Sequence, residues 1–242
     1  TAICTLKSFP YKVEHTIQWA RDIFGGVFEQ NPLQVNQWLL NGETWVEDMK
    51  KDSKSGVTRV KTVHELLVPS EVNGKYQIGK CNTIEDCIKF ARIQFETLFS
   101  SPIINLLHQY PPDKTDENGK LFWRGDKKLC KPAVFNCNIQ DHMDFIRAST
   151  HLCANMYNVP LTTYNGNALP DNLITDDILR SIVTTIALPI FVPDGSTKIA
   201  ANDEERKKME AEKEQENKMT NLDGNELIDS LINEFPKDLI DS

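Results

Sequence analysis

Residues 83–99 read TIEDCIKFARIQFETLF, and the class of the fold turns on how that stretch is read. Thr83 can cap a helix whose Asp86 lies three residues on, and Phe90 and Phe95 fall at helical core spacing. Ser100–Pro102 break the run before IINLLHQY begins. Towards the N-terminus the same periodicity recurs. After Pro10, which suits a first helical turn, Val13, Ile17, Ala20, Phe24 and Val27 make one apolar face that Gly25-Gly26 ends or bends. Asn31-Pro32 start a second helix through Val35, Trp38 and Leu39, closed by Asn41-Gly42, and Trp45 to Met49 form a shorter piece. GVTRVKTVHELLVP (residues 56–69) places Val57, Val60, Val63 or His64, and Leu67 on one side, so it reads as helix despite its valines.

Towards the C-terminus, residues 111–133 are a loop rich in Pro, Asp, Asn and Gly. DHMDFIRASTHLCANMY and TDDILRSIVTTI read as helices on either side of the loop NGNALPDN. The expectation is a mainly α, multi-helix domain with at most a few short strands, placed near 68–80 and 188–200. Its body spans residues 1–201. A charged, mobile connector at 202–220 has almost no apolar side chain to bury, and an amphipathic helix at 221–242 should dock back.

The formal charge of -8 is concentrated late in the chain: residues 203–242 hold 13 acidic and six basic side chains, leaving -1 for the rest. No basic stripe with interleaved aromatics appears, which disfavours a nucleic-acid surface, and no apolar stretch is long enough to span a membrane. No Gly-rich phosphate loop or dinucleotide fingerprint is present. The six cysteines, Cys4, Cys81, Cys87, Cys130, Cys137 and Cys153, form no CxxC pair and no zinc spacing. The expectation is therefore reduced thiols, with no metal and with five of the six structural.

Cys4 stands apart. Thr5, Lys7, Ser8 and Lys12 make its surroundings polar, and a nearby lysine and helix start both favour thiolate. His15, read as half-exposed on the first helix, and His142 are the candidate bases. With Thr1 only three residues ahead of that cysteine and no initiator methionine, the chain reads as an excised piece of a longer protein.

CTLKSFP followed by EHTIQWARD resembles the catalytic-cysteine segment of ubiquitin-activating enzymes. QYPPDKTDENGKLFWRGDKKLCKPAVF is similar to that family's FPPD loop and its FW-x-G, in the same order, and FNCNIQDHMDFIRASTHLCANMYNV resembles its next block. Ala2 and Ser8 depart from the family pattern. The resemblance implies the second catalytic-cysteine half-domain of such an enzyme, with Cys4 taking ubiquitin from ubiquitin-adenylate as a thioester. Thr5, Lys7, Gln140 and Asp141 are the supporting candidates: Thr5 or Gln140 to orient the carbonyl, Asp141 to influence the thiol proton. It further implies an ATP-dependent parent enzyme whose adenylation domains, with ATP and magnesium, lie elsewhere, so the segment alone would be inactive and hold no cofactor. Ubiquitin, conjugating enzymes and those adenylation domains would be its partners, in cytoplasm and nucleus. Two other readings are the same domain serving another ubiquitin-like protein, and a helical binding module without catalysis.

Overall fold

The computed structural model describes residues 9–72, 75–116, 118–169, 174–193, 195, 198–219 and 224–239. The protein is mainly α, and its chain forms two compact units, each assembled from three stretches of sequence. One takes the described residues within 1–25, 98–133 and 192–221; the other takes those within 26–97, 134–191 and 222–242.

In the first unit, helix α1 (Val13–Gly25) follows Pro10. Its buried residue is His15, which the sequence placed half-exposed, whereas Val13 and Ile17 of the expected apolar face lie open to solvent. The reason is local: the Tyr11 N–H donates to His15 Nδ1 at 3.4 Å, and the Tyr11 ring packs edge-on against the imidazole at 4.6 Å. One nitrogen satisfied and one face covered make burial of the ring affordable to the fold.

Gly25-Gly26 end α1, but the backbone stays coiled as a π-helical turn, Gly26–Gln30, and enters α2 (Asn31–Lys51) in the second unit. Gly42 sits inside α2 at φ 49°, ψ -121°, a left-handed conformation that costs glycine little, and it kinks the helix. Helix α3 (Ser53–Leu67) then packs on α2, and Val60, Val63 and Leu67 are buried as their spacing predicts. A two-stranded antiparallel hairpin follows, β1 (Ser70–Val72) with β2 (Lys75–Gln77), inside the predicted 68–80 window.

Helix α4 (Ile84–Phe99) opens with a reciprocal cap. Asp86 N–H donates to Thr83 Oγ1 at 3.1 Å, while Asp86 Oδ2 accepts from the N–H groups of Thr83 and Asn82 at 3.0 Å each. Helix α5 (Ser101–Gln109) starts at Pro102 in its first turn and lies in the first unit. Helix α6 (Gln140–Met156) and α7 (Asp176–Val183) complete the second unit's core with Met143, Ile146 and Leu179, and Arg147 ties α6 to α7 by bonding both Asp144 and Asp176.

The other hairpin is not where the sequence placed it. β3 (Thr163–Tyr164) pairs with β4 (Asn167–Ala168), and the described residues of 188–200 carry no strand. Asn165 at φ 50° and Gly166 at φ 78° supply the two left-handed residues that a two-residue hairpin turn demands.

Residues Asp203–Met219 form helix α8, with Asn202 Oδ1 accepting from Glu205 N–H at 2.8 Å and Glu205 Oε2 accepting from Ala201 N–H at 2.7 Å. That capping box and the Arg206–Glu210 pair at 2.6 Å hold the helix start without a buried face. Local bonds of this kind are worth tenths of a kcal/mol each, far below an ordering cost of about 1–2 kcal/mol per residue. Limited proteolysis should therefore cut within 203–219 before any other helix, and slow amide exchange along that whole stretch would show the opposite. Helix α9 (Gly224–Asn233) and a 3₁₀ turn, Lys237–Leu239, return to the second unit, where Ile228 and Phe235 close a core with Trp38, Trp45 and Met49. Among the described residues, no helix is long and apolar enough to cross a membrane.

Candidate functional site

Cys4, Thr5 and Lys7 lie outside the described residues; Phe9, the aromatic of CTLKSFP, is described and buried. Its ring meets those of Tyr110, Phe122 and Trp123 at centroid distances of 6.3, 5.8 and 6.0 Å. Tyr110 and Phe122 stack at 4.2 Å with planes 5° apart, and the Lys127 ammonium sits over Phe122 at 4.2 Å and over Phe9 at 5.4 Å. Aromatic pairs of this kind add about 0.5–1.5 kcal/mol each beyond their area burial.

Polar bonds fix the loop that carries these rings. Trp123 Nε1–H donates to the Tyr110 carbonyl at 3.0 Å. Gln109 clamps Ile199 from both sides, its Nε2 donating to the Ile199 carbonyl at 2.7 Å and its Oε1 accepting the Ile199 N–H at 2.8 Å. The Tyr110 hydroxyl donates to the same carbonyl at 2.7 Å. Asp116 gathers the loop's tip by accepting from the N–H groups of Asn118 and Lys120 and from Arg124 at 2.7 Å. Those donors, Lys120 first and Arg124 next, hold its carboxyl below the usual range.

Gln140 and Asp141 occupy the first turn of α6, both exposed. Gln140 Nε2 donates to Asp144 Oδ1 at 2.9 Å, and that bond, followed by the one from Arg147, lowers the Asp144 pKa. The turn ahead of the helix is organised by Asn136, whose Oδ1 accepts from Asn138 N–H at 2.9 Å and whose own N–H donates to His142 Nδ1 at 3.1 Å. An accepting Nδ1 leaves the proton of the neutral ring on Nε2. The His142 ring also lies 4.7 Å from Phe95 and 5.9 Å from Phe135. The candidate base is thus built into an aromatic corner and shapes the turn. Gln140 and Asp141 are brought together on one helical turn, and the other three site residues fall outside what the structure describes.

The fold gathers residues that sequence spacing kept apart. Cys81, Cys87 and Cys153, which have no metal-site spacing, are buried with all three sulfurs within 4.8 Å of one another. The packing of Phe9 against Trp123 was equally invisible, because only the folded loop brings position 9 against 110–123.

A family model described as "Ubiquitin-activating enzyme, SCCH domain" matches residues 10–241. The chain belongs to that family. Its SCCH sequence is 35% identical over 203 residues to "Ubiquitin-activating enzyme E1 1" of Candida albicans (strain WO-1), covering 84% of this chain and 18% of the relative. It is 33% identical to "Ubiquitin-activating enzyme E1 1" of Schizosaccharomyces pombe, again over 84% of the chain and 18% of the relative. With "Ubiquitin-like modifier-activating enzyme 1" of Homo sapiens it shares 32% identity, over 84% of the chain and 17% of the relative. The SCCH chain thus spans under a fifth of the length of these relatives. The sequence-derived resemblance and the mainly α fold agree with this membership.

Proposed function

We propose that this chain is the catalytic-cysteine half-domain of a ubiquitin-activating enzyme, with Cys4 as the acceptor thiol. In the reaction, the Cys4 thiol loses its proton and its sulfur attacks the carbonyl carbon of ubiquitin-adenylate; the thioester bond forms as AMP leaves. A conjugating enzyme then takes the ubiquitin. The observation that carries the reading is the cluster around Phe9, in which two of the sequence blocks that resemble the family meet: the end of CTLKSFP and the QYPPD…FWRG loop.

At the starts of α4 and α8 the Thr83–Asp86 and Asn202–Glu205 caps occupy backbone N–H groups and set carboxylates beside them, which disfavours phosphate at those two places. From the family resemblance, ATP and magnesium chemistry is assigned to adenylation domains of the parent protein, in cytoplasm and nucleus. Thr5, Lys7, Gln140 and Asp141 are proposed as supporting groups, with Gln140 or Thr5 hydrogen-bonding the reacting carbonyl.

Phe9→Ala tests the anchoring. It removes the buried ring five residues after Cys4, and misplacement of a reacting group by about 1 Å can cost roughly 100-fold in rate. In the parent enzyme, ubiquitin charging should slow by about that factor while adenylate formation persists; unchanged charging would dissociate the Phe9 cluster from the reaction. Peptide mapping of the reducible ubiquitin adduct should place it on Cys4, and an adduct on any other cysteine would overturn the assignment.

A further inference from the structure

We propose that Cys81, Cys87 and Cys153 form a binding site for a soft, closed-shell metal ion, with copper(I) as its best match. The three residues come from separate elements: Cys81 from the loop after β2, Cys87 from the first turn of α4, and Cys153 from the last turns of α6. Gly79 places the first of them. At φ 71° its backbone lies so close to α3's end that an added Cβ would stand 2.7 Å from Pro69 N and 2.9 Å from the Leu67 carbonyl oxygen. Lys80 N–H then bonds that same carbonyl at 3.3 Å, and Cys81 turns inward.

All three side chains are buried, at 1% exposure or less. Cys81 and Cys153 sulfurs touch at 3.5 Å, and the full set fits within 4.8 Å. Thiolate–metal bonds of about 2.3 Å set three sulfurs roughly 4 Å apart around one ion. The one close pair is 3.5 Å apart and no pair exceeds 4.8 Å, so loading requires only small side-chain shifts. A buried cysteine is commonly a small hydrophobe. Three sulfurs from three elements aimed at one point are a donor set.

The choice of ion follows from what surrounds the sulfurs. They are soft donors, which excludes calcium and magnesium, ions that take oxygen. Zinc in a structural site takes four ligands, and among the described residues no fourth His, Cys, Asp or Glu joins the cluster. Tyr157, the neighbouring phenol, already donates its proton to the Leu66 carbonyl at 2.8 Å, and Asp86 is committed to the α4 cap. Copper(I) binds thiolates well and accepts two or three of them. With two thiolates and one thiol still protonated, the loaded site carries a net charge of only -1.

The test uses the whole chain with Cys130→Ser and Cys137→Ser, which removes the two partly exposed cysteines among the described residues, under anaerobic conditions. Copper(I) is offered from a chromophoric chelator at a concentration that leaves isolated thiols empty. The expected result is withdrawal of one equivalent, with X-ray absorption showing two or three sulfur neighbours and no nitrogen or oxygen. Cys153→Ser should weaken uptake by at least about 100-fold, the loss of a direct ligand exceeding the 10–100-fold typical of outer-shell changes. Because that variant could misfold, melting temperature gives an independent reading. Copper(I) should raise it in the intact cluster and leave Cys81→Ser unchanged. No uptake, or uptake in the Cys81→Ser and Cys153→Ser proteins undiminished from that of the intact cluster, overturns the site. Preferential withdrawal of zinc with four-coordinate geometry overturns the assignment to copper.

Discussion

In the proposed parent enzyme, Cys4→Ala should remove the reducible ubiquitin adduct entirely while ATP–pyrophosphate exchange continues near its normal rate. The separation follows from where each step resides. Exchange reports reversible formation of ubiquitin-adenylate, which the proposed reading places on adenylation domains elsewhere in the parent protein. Adduct formation needs a nucleophile, and a methyl group offers none. An unperturbed thiol, with a pKa near 8.5, is only a few per cent ionised at neutral pH, yet thiolates are strong enough nucleophiles for that fraction to react. Cys4→Ser sharpens the test. Any product it forms is an oxygen ester, which survives thiol reductants, whereas the native adduct does not. A full-strength reducible band in Cys4→Ala would remove this residue from the reaction and move attention to the partly exposed Cys130 and Cys137. The 242-residue chain alone should form no adduct from ubiquitin and ATP; efficient charging there would equally sink the half-domain reading.

Local signals carried most of the helical fold. Thr83 and Asp86 announced the cap of α4, Pro32 opened α2, and the Val57–Leu67 spacing predicted the buried side of α3, whereas Gly42, expected to close α2, kinks it and the helix continues to Lys51. Where the reading failed, a long-range or unweighed term decided. Val13 and Ile17 have helical spacing but no core over them, because periodicity shows which side chains share a face and not what covers it. Tyr11 decided the burial of His15 from outside the helix. The hairpin at 163–168 carried an available sign, the Asn165-Gly166 pair, which was absorbed into a loop because its flanking strands are only two residues each. Cys81 and Cys153 are 72 positions apart, so no spacing rule could have joined them. The motif around Cys4 was legible residue by residue, but the aromatic cluster at its end was not, since Phe9 finds Tyr110 and Trp123 only after the chain has folded.

Phe235→Ala should be the most damaging single change to the helical core, costing about 3–5 kcal/mol. Phe235 is buried at 3% exposure and its ring stands edge-on to Trp38 at 4.8 Å, in the core that joins α2, α3 and α9. Truncation loses the transfer free energy of the ring and leaves a cavity under Trp38, which cannot collapse easily because Val60, Val63 and Ile228 are fully buried around it. An ion pair, Lys50–Asp229 at 2.5 Å, and a hydrogen bond, His64–Glu234 at 2.7 Å, span the same contact, and geometry alone would rate them equally important. Their carboxylates are 54% and 56% exposed, however, and pairs so open to water contribute about 0–1 kcal/mol. Glu234→Gln should therefore cost less than about 1 kcal/mol. Ile228→Val, which deletes one methyl from a site with no exposure, should cost about 0.5–1.5 kcal/mol. Denaturant unfolding followed by tryptophan fluorescence measures all three, because Trp38 and Trp45 report from that core. At roughly 2–4 °C per kcal/mol for a chain of this size, Phe235→Ala should also lower the melting temperature by about 6–20 °C. If Glu234→Gln proves as costly as Phe235→Ala, the C-terminal helix is held by charge and not by its buried ring.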